Sequence, residues 1–293
     1  MQPARDLADK LKPRLANDFQ RRLLDATMLS AQAADNPLRL NNFSTSFREL
    51  FRHVLAELAP DSEVVATSWY VPDMTSRSGI TRGHKIAYVI HGGLAPTYVE
   101  TELEIEVDAE RSGLVKSIDT LSKFTHVNEK TFDAPDVDVS ERVLGACLAL
   151  ARFLDCAKEA RRVLCGHVEE RIHDDVVSEA IGETLLAVDE IAPHHSLENV
   201  YVESIEITDI DSKEIHFIAY GAVEVVLQWG SNSDVRRGDG AEMSESYPLT
   251  CEFISKVSAP EELTMVRNSL CVDTTSWWND YYDDEPDGPT SDL

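Results

Sequence analysis

The chain has 293 residues, of which 43% are hydrophobic, and a formal net charge of −26. That length and apolar content support two ordinary cores or one large one. So negative a charge argues against a broad nucleic-acid-binding surface, and no stretch of about eighteen apolar residues is present to cross a membrane. The start, Met1-Gln2-Pro3-Ala4-Arg5-Asp6, mixes charges and lacks a secretion pattern, so a cytoplasmic protein is expected. Five cysteines, an odd count, read as free thiols. Cys147, Cys156 and Cys165 recur every nine residues. Nine helical residues turn ~900°, which puts neighbours in the series on opposite faces, so no metal site and no cofactor are expected.

In chain order, Leu7, Leu11, Leu15, Phe19, Leu23 and Leu24 form one helical stripe over residues 4–33, ended by Asp35-Asn36-Pro37. A second helix is predicted from the Asn41–Ser46 stretch to Leu58, with Phe47, Leu50, Phe51, Val54, Leu55 and Leu58 on its apolar face. Ser44, Thr45 and Ser46 are candidate N-caps. Residues 61–83 read as a surface loop. Further helices are predicted at 82–91, stopped by Gly92-Gly93, at 95–105, at 110–126 and, as a long pattern, at 139–192. Pro193-His194-His195 closes the helical part.

Alternation then replaces helical spacing, with strands predicted at 200–207, 215–218, 223–229 and 247–253. Asp211-Ser212-Lys213 is a hairpin turn, and 230–240 reads as a long loop. One short helix is expected after Ala259, before an acidic tail holding Trp277-Trp278 and Tyr281-Tyr282. That tail reads as a solvated segment or, with aromatics among acids, as a docking segment for a protein partner. The fold class expected is α+β: an N-terminal helical bundle over 1–196, a small antiparallel β meander over 197–258, and the tail from 259 to 293.

Charge is unevenly spread. Residues 1–196 carry 22 Lys and Arg against 32 Asp and Glu, and residues 197–293 carry 5 against 21. The stretch from Arg39 to Lys85 is the exception, with six basic and five acidic residues. Within it lies Arg48-Glu49-Leu50-Phe51-Arg52-His53. Arg48 and His53 are five helical positions apart, ~140° around the axis, so one helix does not aim both at one phosphate. A histidine titrates near neutrality and moves protons, and a guanidinium neutralises a phosphate. His126, in Leu121-Ser122-Lys123-Phe124-Thr125-His126, is a further proton carrier, or a histidine favoured by a helix C-terminus.

The Arg–polar–x3–His string resembles the motif of HEPN ribonucleases. The resemblance implies a homodimer in which two copies of the motif meet, and metal-independent cleavage of RNA by its own 2′-hydroxyl. Arg48, His53 and His126 would then be catalytic, and Asn42, Arg52 and Arg82 would bind substrate. A wider pattern also stands out: Asn41-Asn42-Phe43, Ser68-Trp69-Tyr70, Ile80-Thr81-Arg82, Leu121-Ser122-Lys123 and Gln228-Trp229-Gly230-Ser231-Asn232-Ser233-Asp234. It is similar to a prokaryotic family described as predicted PIWI-associated nucleases, which implies a role in antiviral defence. The rival reading is a non-catalytic sensor or adaptor of a defence complex. Arg236, Arg237, Trp277 and Trp278 would there meet a partner. Asn232, Asp234 and Asp239 lack a calcium-loop spacing, and His194-His195 read as a surface turn.

Overall fold

A computed structural model of the protein describes residues 1–129, 131–182 and 186–283. The described chain is α+β, with helices first and an antiparallel sheet after them. It divides into two compact units: residues 1–164 with 210–214, and residues 165–209 with 215–293.

The first unit begins with α1 (Gln2–Leu11), a 3-10 turn (Lys12–Arg14) and α2 (Asp18–Gln32). The single stripe expected over residues 4–33 is therefore interrupted. Pro13 lies in the turn and lacks the amide that would continue α1. Asn17 restarts the helix by accepting from the Gln20 amide at 3.0 Å. The restart rotates the stripe, so that Phe19 is 56% exposed while Gln20 is 2% exposed.

Helix α3 (Arg39–Leu58) begins earlier than expected. Asn36 and Pro37 precede it, and Asn41 and Ser44 lie inside it as buried residues rather than at its cap. The predicted apolar face is in place: Phe47, Leu50, Phe51, Val54 and Leu55 are all buried, although Leu58 is exposed. The next segment is not wholly loop, because α4 (Asp61–Ala66) forms directly after Pro60.

Helix α5 (Arg82–His91) has the predicted limits. Thr81 and His84 form a reciprocal cap, with Thr81 Oγ1 accepting from the His84 amide at 3.2 Å and His84 Nδ1 accepting from the Thr81 amide at 3.3 Å. Gly92 ends the helix at φ 57°, ψ −134°, a backbone shape that a side chain opposes. A Cβ there would lie 2.3 Å from Ile210 Cγ2. Gly93 donates to the Asp211 carbonyl at 3.0 Å, which seats residues 210–214 in the first unit.

Helices α6 (Pro96–Thr101) and α7 (Val107–Ser122) follow, and α3, α5 and α7 pack against one another. Helix α8 (Asp136–Gly182) is continuous through Gly166, because its apolar row, from Val139 through Leu150 and Leu164 to Val176, keeps one face buried. A short α9 (Leu186–Asp189) comes next, in the second unit.

The second unit holds the sheet. Strands β1 (His194–Ile210), β2 (Glu214–Trp229), β3 (Ala241–Lys256) and β4 (Ala259–Met265) lie side by side in chain order, and β5 (Cys271–Val272) pairs with β3. Period two sets its buried face. Along β2, Ile215, Phe217, Ala219, Val223, Val225 and Leu227 are buried, and along β3 so are Tyr247, Leu249, Cys251 and Phe253. Gly221 keeps that face where β1 comes close, since a Cβ there would meet the Tyr201 carbonyl oxygen at 2.1 Å.

Two expectations fail here. The predicted short helix after Ala259 is β4, whose Lys256↔Ala259 and Phe253↔Met265 register continues the meander. Much of the 230–240 loop is α10 (Asn232–Arg237), capped by Ser231 and Asp234. The last described element is α11 (Thr275–Asp283), where Trp277 stacks on Trp229 with ring centres 5.8 Å apart. The tail beyond it, residues 284–293, lies outside the described residues. No helix among the described residues is long and apolar enough to cross a membrane.

Candidate functional site

The packing of α3, α5 and α7 leaves a cleft of about 520 Å³ on the first unit. Phe51, Leu55 and Ile118 supply its apolar floor, and all three are buried. Its polar wall carries Arg48 and Arg52 from α3 with Arg82 and Lys85 from α5. Glu49 and Asp61 are the acids among the lining residues. The helical period explains this convergence. Positions 48, 52 and 55 share one side of α3, and positions 82 and 85 share one side of α5.

Three of the four cations have carboxylate partners. Arg52 Nε donates to Glu49 Oε2 at 2.9 Å, Arg82 Nη1 lies 3.4 Å from Asp119 Oδ1, and Lys85 Nζ lies 2.5 Å from Asp61 Oδ1. Lys85 also donates to the Ala59 carbonyl at 2.9 Å. Arg48 has no such acid among the described residues, and its buried Nε has no hydrogen-bond partner there. An unpaired guanidinium in a partly desolvated cleft is the strongest anion-attracting group in this arrangement.

A second groove of about 440 Å³ adjoins the first through Arg82, whose partner Asp119 lines it. Arg111, Lys116 and Lys123 line it along α7 and its C-terminal turn. From residue 111 to residue 123 the helix rises ~18 Å, the reach of roughly five stacked nucleotides at 3.4 Å each.

The structure separates the two residues of the Arg48–His53 motif. Arg48 lines the cleft, ten positions into the helix rather than near its start. His53 faces α2, with its ring edge-on to Phe19 at 4.9 Å, and its Nε2 lies 3.1 Å from Arg52 Nη2. Asn42 is exposed on α3. Its neighbour Asn41 is buried and donates to the Phe124 carbonyl at 2.8 Å, tying α3 to the segment after α7. His126 is exposed in that segment, four residues past the end of α7, where its carbonyl accepts from Thr131 Oγ1 at 3.0 Å.

Lys85, Arg111, Lys116 and Lys123 escape a motif-based reading. Each is a single basic residue in sequence, and only the helix packing gathers them. Their helical spacing, 82 with 85 and 116 with 123, is the signal that would have found them.

Two further histidines belong to the same unit. Burial, partly offset by Asp73, lowers the His84 pKa, and Arg111 lowers it further. Burial pushes His91 down to about 4, and its ring lies edge-on to Trp69 at 5.2 Å. His91 is therefore neutral at physiological pH and acts as a core residue.

In the second unit, Arg236 and Arg237 stand exposed on α10, where they donate to the carbonyls of Asn232 and Ser233. Trp277 is half-buried against Trp229, and Trp278 is 40% exposed. Asp234 accepts from the Ser231 amide and hydroxyl, which caps α10. Burial raises the thiol of Cys147 to about 12 and that of Cys165 to about 11, so both are protonated and poor nucleophiles. Among the described residues no three His, Cys, Asp or Glu side chains gather as metal ligands.

Comparison with known proteins adds the context. No curated protein and no solved structure matches this chain. Two protein-family models do, one over residues 12–150 and the other over 157–278, and both carry the description predicted pPIWI-associating nuclease. The first match contains the whole cation-lined cleft, and the second contains the sheet. With nearly its whole length accounted for by that one description, the chain belongs to the family of predicted pPIWI-associating nucleases.

Proposed function

We propose that this nuclease is a metal-independent endoribonuclease that holds an RNA backbone in the cleft between α3 and α5. The observation that carries this reading is Arg48, a guanidinium without a carboxylate partner among the described residues, in a cleft that holds three more cations. Arg48 neutralises the scissile phosphate, Arg52 and Arg82 flank it, and the α7 cations follow the strand. Asn42 is a further contact at the other end of α3.

Within one copy His53 lies on another side of α3, so the proton carrier comes from a second copy, as in the HEPN ribonucleases. The 2′-oxygen attacks phosphorus while His53 of that copy takes its proton. The P–O5′ bond breaks, and the 5′-oxygen leaves with a proton supplied by His126. The products are a 2′,3′-cyclic phosphate and a 5′-hydroxyl. DNA has no 2′-hydroxyl and is spared. In the cytoplasm such an enzyme fits antiviral defence beside a pPIWI partner, with Trp278 and Arg237 exposed as partner contacts.

The test is complementation in EDTA. Arg48→Ala and His53→Ala should each lower RNA cleavage by about 10²-fold or more. Mixed and re-equilibrated, they should recover about a quarter of wild-type activity, because half the dimers are mixed and each has one intact site. No recovery, with both variants dimeric, removes the composite site. Loss of wild-type cleavage on chelation removes the metal-free chemistry.

A further inference from the structure

The second unit carries the chain's densest negative charge, with 21 acidic and 5 basic residues over 197–293. Yet an open pocket of about 690 Å³ in this unit has no acidic residue among those that line it. His194 and His195 reach it from the start of β1, Gln228 from the end of β2, and Asn232, Ser233 and Arg236 from α10. We propose that this pocket binds a phosphate ester of nucleotide size.

Three features support that assignment. The first is Arg236. Its Nε donates to the Asn232 carbonyl at 3.2 Å, which fixes the side chain, and no carboxylate among the described residues pairs with it. Its neighbour Arg237 is the one that takes Asp234, at 3.7 Å. The two terminal nitrogens of Arg236 are left for a ligand, and their fork suits two oxygens of one phosphate.

The second is the oriented imidazole of His195. Its Nδ1 lies 3.0 Å from Asp189 Oδ1. Donation from Nδ1 to that carboxylate fixes the ring and its orientation, and leaves Nε2 as the nitrogen available to a ligand. The third is the rest of the wall, where Ser196, Ser233 and the Asn232 side-chain amide nitrogen add polar groups, while Gln228 is spent on Gly230 and Asn232, and Ser231 on Asp234. Such groups satisfy the remaining oxygens of a phosphate and the polar edges of a sugar or base. A volume of about 690 Å³ exceeds what inorganic phosphate needs and falls in the usual range for small-ligand sites.

The ligand is a free nucleotide or the phosphorylated end of a nucleic-acid strand. The pocket does not rest on the cleavage proposed above, since it shares no residue with the α3–α5 cleft.

Isothermal titration of the full chain tests it, using inorganic phosphate, adenosine 5′-monophosphate, and one tetranucleotide with and without a 5′-phosphate. A phosphorylated probe should bind, and affinity should fall tenfold or more in Arg236→Ala and in His195→Gln, with unchanged thermal melting. Arg236→Lys should retain part of the affinity, because it restores the charge without the fork. Arg48→Ala should bind adenosine 5′-monophosphate normally. Tighter binding of the mononucleotide identifies a free ligand, and preference for the phosphorylated tetranucleotide identifies a strand end. The proposal fails if no phosphorylated probe binds. It fails equally if binding survives Arg236→Ala but is lost in Arg48→Ala, which would place the anion in the helical cleft.

Discussion

The helical unit and the sheet unit each hold one place suited to an anion, and they create it by opposite means. In the α3–α5 cleft, cations are added: four line it, and two acids moderate them. In the pocket beside α10, acids are left out: one arginine and two histidines face a wall without a carboxylate. A net charge of −26 therefore says little about any one site. Charges beyond about 8 Å are screened at physiological salt, so the side chains lining a cleft decide what it attracts.

Four measurements put that contrast at risk. The largest effect is expected from Arg48→Ala, which should lower RNA cleavage by about 10²–10³-fold, as loss of one charge-stabilising donor does. Arg236→Ala should leave the rate unchanged, and equal losses from both would dissolve the distinction between the sites.

Next comes acid sensitivity, which His91 places in the helical unit. Its folded pKa of about 4 lies below its ordinary 6.5. Between those values the unfolded chain binds the extra proton, so stability is full above pH 6.5 and falls as pH drops toward 4. The loss is about 3 kcal/mol, at ~1.36 kcal/mol for each pH unit. Urea unfolding at several pH values measures it, and His91→Phe should flatten that slope.

Smaller still is a pair of glycine substitutions. Gly92→Ala should cost ~1–3 kcal/mol, through its positive φ and the clash with Ile210. Gly166→Ala, with nothing within 4 Å of the new Cβ, should gain ~0.5–1 kcal/mol. Thermal melts of the two variants should therefore move in opposite directions. Last, Lys116→Ala combined with Lys123→Ala should lower the slope of log affinity against log salt by ~1.4 for a single-stranded RNA, at ~0.7 for each phosphate no longer neutralised. An unchanged slope would take α7 out of the strand's path.

Much of the fold is legible in the sequence because local rules and packing agree. The 3.6-residue period of Phe47, Leu50, Phe51, Val54 and Leu55, the Gly92 stop and the alternation along β2 all survive in the structure. Failures occur where a neighbour distant in sequence decides. Gln20 is buried in place of Phe19 because α2 restarts after Pro13, and its side chain reaches the His53 carbonyl at 3.4 Å. Asn41 lies inside α3 because its amide holds Phe124 and Thr131, partners more than eighty residues away. The segment after Ala259 is a strand because the edge of β3 is there to pair with it. The cleft shows the same division. Arg48, Arg52, Arg82 and Lys85 all lie in one comparatively basic stretch, whereas Arg111, Lys116 and Lys123 acquire meaning only once three helices meet. The angle between Arg48 and His53 follows from spacing alone. That Arg48 borders a cleft and His53 abuts Phe19 does not.

The turn at residues 210–214 sets a practical limit on dissecting this protein. Gly93 needs the Asp211 carbonyl, Glu63 accepts from the Ser212 amide at 3.2 Å, and Ile210 covers the glycine that ends α5. A truncated gene stopping at codon 164 would therefore encode a helical half lacking the five-residue turn that belongs to it, with the buried Ile210 and Ser212. Its poor solubility would reveal an open socket, and would say nothing about whether the missing half takes part in catalysis.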